Sequence, residues 1–61
     1  MDLKENEHWR NALHHAEGLM ASFKAVEDGL IIQDMREHID GMEGRCRDIL
    51  FLLGQVALDL P

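Results

Sequence analysis

Two apolar stripes with heptad spacing, out of phase with each other, limit this chain to helices packed side by side. The first stripe is Trp9, Ala12, Ala16, Leu19, Phe23, Val26 and Leu30. The second is Ile32, Met35, Ile39, Met42, Cys46, Ile49, Leu53, Val56 and Leu60. Both advance by alternating steps of three and four residues, which keeps every member on one face of an α-helix. The phase breaks once, at Asp28-Gly29. The pattern predicts an all-α fold: a two-helix antiparallel hairpin in a single domain covering 1–61. The first helix is expected over about 3–27, the turn at 28–29 and the second helix over about 30–58.

Local signals support these boundaries. Asp2 followed by Glu5 fits a capping arrangement for the first helix. Gly29 can take the left-handed conformation that ends a helix, with Leu30 folding back on the last turn. Leu13 and Met20 widen the first stripe beside the Trp9, Ala16 and Phe23 row. Gly18 is expected on the outer face, where a glycine costs about 1 kcal/mol relative to alanine. Gly41 and Gly44 lie within one turn of each other and weaken the second helix. The stripe nevertheless passes from Ile39 through Met42 to Cys46 without losing phase, so a continuous helix is expected. Glu43 with Arg47, and Arg36 with Asp40, stand four apart and mark a solvated face, each pair contributing a few tenths of a kcal/mol.

A tight turn at Asp28-Gly29 sets an expected register. Val26 would face Ile32, Phe23 would face Met35, and Leu19 would face Ile39. Ala16 would face Met42, Ala12 would face Cys46, and Trp9 would face Ile49 or Leu50. Cys46 reads as a small buried hydrophobe on this stripe, and Met35 and Met42 read as core.

Size makes such a hairpin marginal. A chain of 61 residues buries roughly 60% of the surface it exposes when unfolded. One cysteine excludes an internal disulfide. Twelve acidic against six basic residues give a net charge of −6, which argues against phosphate-backbone binding and against anionic membrane surfaces. The N-terminal residues lack the apolar core of a signal peptide. The most apolar window, Ile49 to Leu60, is shorter than the roughly 20 residues a bilayer demands. A cytoplasmic protein is expected.

The C-terminal half of the second helix carries more apolar surface than one partner helix can cover. Leu50, Phe51, Leu52 and Leu53 follow Ile49 without interruption, and Val56, Ala57 and Leu58 continue the trend. Phe51 and Leu58 fall opposite the stripe. A helix apolar all round is buried all round, and each such side chain is worth about 1.5–3 kcal/mol when buried. Something else should cover Leu50, Phe51, Leu52 and Leu58, with Trp9 as an anchor at the same end. The simplest cover is a second copy, which would turn two hairpins into a four-helix bundle. Another protein docking on the same surface is compatible with this.

Candidate chemistry is thin. His8 and His15 are seven residues apart, about 10 Å along a helix, too far to share a metal. Glu5 and His8 have the Glu-x-x-His spacing of di-iron bundles, but the second helix has no matching motif. Solvated or edge histidines are the plainer reading. Ser22 is the sole serine and threonine is absent, no glycine-rich phosphate loop is present, and a hairpin offers no deep pocket. No catalytic, cofactor-binding or metal-ligating residue is assigned. The expected function is non-enzymatic protein binding by a small regulator, adaptor or inhibitor. A second reading is a nucleic-acid-binding hairpin dimer using Arg36, Arg45 and Arg47, with Lys24 nearby. A third is a metal-binding bundle.

Overall fold

A computed structural model describes residues 2–29 and 35–61. The described residues form a short 3-10 turn at Leu3–Glu5, helix α1 at Glu7–Glu27 and helix α2 at Met35–Asp59, with no strand among them. The expected start of the second helix near residue 30, and the stripe members Leu30 and Ile32, lie outside the described residues.

The N-terminus departs from the single helix expected over 3–27. The Asp2 carboxylate accepts the Lys4 amide at 3.0 Å, but it caps only the 3-10 turn. Asn6 is extended, with φ −75° and ψ 121°, and starts α1 afresh. Its side-chain oxygen accepts the Trp9 amide at 2.9 Å, and its carbonyl accepts the Arg10 amide at 3.0 Å. Asparagine is among the strongest capping residues because its short amide reaches the free N–H groups of the first turn. The capping role expected of Asp2 and Glu5 for the long helix therefore belongs to Asn6.

At the other end α1 stops where the sequence implies. The Asp28 amide donates to the Lys24 carbonyl at 3.0 Å and the Gly29 amide to the Val26 carbonyl at 3.1 Å. Gly29 has φ +68°, a conformation glycine adopts without a Cβ clash. Helix α2 runs unbroken through Gly41 and Gly44. Of the two expected charge pairs, Glu43 and Arg47 form an exposed ion pair.

The helices are antiparallel. Asn6, at the start of α1, donates from Nδ2 to a carboxylate oxygen of Asp59 at the end of α2, at 3.0 Å. Further along the rod, the Arg45 guanidinium of α2 lies over Gly18 of α1, so close that a Cβ at Gly18 would clash with Nη1. Gly18 is half-buried. It faces the neighbouring helix rather than the outer surface expected for it.

These contacts displace the register by one heptad. Ala12 and Ala16 share an apolar hollow with Leu53 and Ile49, where the tight-turn register placed Cys46 and Met42. Helical phase repeats after seven residues, so a one-heptad slip returns every stripe residue to the same face. The pattern fixes the face and leaves the register to contacts such as Asn6 with Asp59.

The result is a plate one helix thick. Its extents are 46 × 16 × 12 Å, and its radius of gyration is 13.9 Å, against about 10–11 Å for a compact domain of this length. Among the described residues the buried hydrophobic ones are Ala12 and Val56, each 5% exposed.

Candidate interaction surface

The split of each stripe between inside and outside follows from heptad position. Lettering the stripes a and d puts Ala12, Leu19 and Val26 of α1 at d, with Met35, Met42, Ile49 and Val56 of α2. All of these are buried or half-buried. The a positions of α2 are Ile39, Cys46 and Leu53, and these and Leu60 just beyond the helix are all exposed. Phe23, at a in α1, is exposed as well, while Trp9 and Ala16 are half-buried. The seam between the helices thus runs along d, and the a row turns out of it. Cys46, expected to be a buried hydrophobe, is an exposed thiol because it stands in that outer row.

The e positions complete the exposed row. Leu13 and Met20 of α1 and Leu50 of α2 stand beside the a residues and are exposed, Leu50 by 70%. In an antiparallel pair the e flanks of both helices fall on one side of the seam and the g flanks on the other. The hollows agree with that geometry. Trp9, Leu13 and Ala16 of α1 line one apolar depression with Ile49 and Leu53 of α2. His15 of α1 lines a different, polar one with Gly41, Gly44, Arg45, Arg47 and Asp48 of α2. One broad face of the plate carries the exposed apolar a and e residues, with the charged Arg36 and Glu43 also at e in α2, and the opposite face is polar.

The residues expected to form an interface therefore divide. Leu50 belongs to the apolar face. Trp9 is half-buried and lines the apolar depression toward the chain ends. Leu52 stands at g and is half-buried in the other flank of the seam. Phe51 and Leu58 are 67% and 79% exposed, but they stand at f. Successive helical residues are about 100° apart, so Phe51 points well away from Leu50, and Leu58, one heptad on, points with Phe51. The exposed apolar residues Leu13, Met20, Phe23, Ile39 and Leu53 were assigned to the hairpin's own core by the stripe pattern. The width of the first stripe, already visible in Leu13 and Met20, was the signal of a second apolar face.

The basic residues do not converge on one strip. Arg45 and Arg47 border the polar hollow, whereas Arg36 stands nine residues before Arg45, about 13 Å along the axis, on the e side. Arg47 is engaged by Glu43. The Glu-x-x-His spacing also loses its geometry. Glu5 closes the 3-10 turn, His8 lies in α1, and the extended Asn6 separates them. Among the described residues no group of three or more His, Cys, Asp and Glu side chains is placed to hold a metal ion. His38 Nε2 is buried without a hydrogen-bond partner among the described residues. Among the described residues no helix is long and apolar enough to cross a membrane. No protein family, curated protein or solved structure matches this chain.

Proposed function

We propose that this chain is a non-enzymatic protein-binding module that self-associates, two hairpins packing into a four-helix bundle, and serves as a small regulator, adaptor or inhibitor. The observation that carries the reading is the set of exposed apolar residues on one face, Leu13 and Met20 of α1 with Leu50 and Leu53 of α2. Patches of this kind on a single chain mark interaction sites. Apolar residues at a, d and e are what a bundle helix needs, because it must satisfy two neighbours and not one.

The hairpin alone leaves too much outside. Ala12 and Val56 are the buried hydrophobic residues among those described, and a chain of this size needs help to reach ordinary stability. Association supplies that help without a disulfide or a metal. We place its work in the cytoplasm, where a lone thiol such as Cys46 stays reduced.

The test is the mass of the intact chain by light scattering during size exclusion. The expected result is twice the 7.0 kDa of the monomer. A single 7.0 kDa species, folded and unchanged across the concentration range, would remove self-association from the reading.

A further inference from the structure

We infer that the occupant of the apolar face is a second copy of this chain, laid face to face along both helices, and that Phe51 and Leu58 stay outside that seam. The inference rests on the protein-binding reading above and names the partner of that face. Three observations on the free hairpin support it.

The first is area. The broad face of the plate measures 46 by 16 Å, on the order of 700 Å² in outline, close to the roughly 800 Å² that each partner contributes to a standard interface.

The second is shape. The plate is 46 Å long and 16 Å wide, two helices across. A single docked helix is about 10 Å wide with its side chains and leaves part of such a face in water. Another hairpin has the same length and the same width, so it covers the face from end to end.

The third is the spread of the exposed apolar residues. Met20, Phe23 and Ile39 occupy the part of the face toward the turn, while Leu13, Leu50 and Leu53 occupy the part toward the chain ends. A groove for a short peptide would concentrate them at one end. A two-fold contact needs a patch that complements itself over its whole extent. Phe51 and Leu58, about 100° around α2 from the e row, do not reach that patch, and the dimer displays them twice on its outside.

The experiment compares the intact wild-type chain with Met20→Asp, Leu50→Asp and Phe51→Asp by analytical ultracentrifugation, with helicity followed by circular dichroism. All three positions are exposed in the hairpin. Met20→Asp and Leu50→Asp are expected to weaken the dimer about tenfold or more, while Phe51→Asp leaves the dimer constant within twofold. Trp9, which lines the apolar depression on this face, gives a readout without mutation: its emission should shift to the red as the wild-type chain is diluted into monomer. A dimer dissociated by Phe51→Asp but held by Met20→Asp and Leu50→Asp overturns the inference, as does a dimer whose dilution leaves Trp9 emission unmoved. A wild-type chain that is monomeric throughout overturns the self-association reading itself, a different result from either.

Discussion

The two broad faces of the hairpin come from the same two helices and meet the same solvent, yet they differ in kind. On one, Leu13, Met20 and Phe23 of α1 stand exposed with Ile39, Leu50 and Leu53 of α2. On the other, His15 borders Arg45, Arg47 and Asp48 over the bare backbone of Gly41 and Gly44. The polar face is furnished for water. Arg45 reaches across it to Gly18, and Gly41 and Gly44 have no atom within 4 Å of where a Cβ would stand. The apolar face is furnished like the interior of a larger bundle, with side chains at a and e awaiting neighbours that one hairpin cannot supply. The contrast separates what holds the hairpin closed, the d row, from what the hairpin presents to others, the a and e rows.

That separation can be broken at several points. The largest effect is expected in the d row itself. Val56→Asp would set a charge at a position 5% exposed; loss of the cooperative thermal transition and of most helical ellipticity is expected, since an unpaired buried charge costs several kcal/mol. The next tests the outer rows. If the apolar face is a seam between copies, the melting temperature of the wild-type chain rises with protein concentration, and Leu50→Asp removes that dependence while Arg45→Asp on the polar face keeps it. Asn6→Ala should then lower stability by about 1 kcal/mol through the lost cap on α1, and somewhat more because the bond to Asp59 goes too; chemical denaturation reads both. Gly44→Ala, on the idle side, is expected to raise stability by up to about 1 kcal/mol, because a helix interior favours alanine and open space receives its methyl. The smallest change belongs to Glu43→Gln, a few tenths of a kcal/mol that vanish in high salt, because the pair with Arg47 is exposed.

Much of the hairpin was legible in the residues because periodicity reports which face a side chain occupies. The apolar steps gave the helical type of both segments, and Gly29 gave the end of the first. The continuity of α2 through Gly41 and Gly44 followed from an undisturbed phase. Register was not legible, because a slip of seven residues changes every partner and no face. Ala12 therefore meets Leu53 in one hollow, where the shortest turn would have given it Cys46. The start of α1 differs from the expectation because Asp2 and Asn6 are both competent caps, and periodicity does not choose between them. The candidate surface was half legible. An unbroken apolar run identified Leu50 and Phe51 as surplus, but adjacent residues on a helix look in different directions, and the run alone could not say that they serve different faces.

The hydrogen bond between Asn6 and Asp59 brings positions near the two tails of the sequence to one tip of the rod. A donor and an acceptor dye placed there would report every opening of the hairpin as a loss of energy transfer, whichever face is engaged. A linker of a few residues across the same gap would close the chain into a ring. In such a ring the two helices remain tethered at both tips, and unfolding no longer gains the freedom of loose ends.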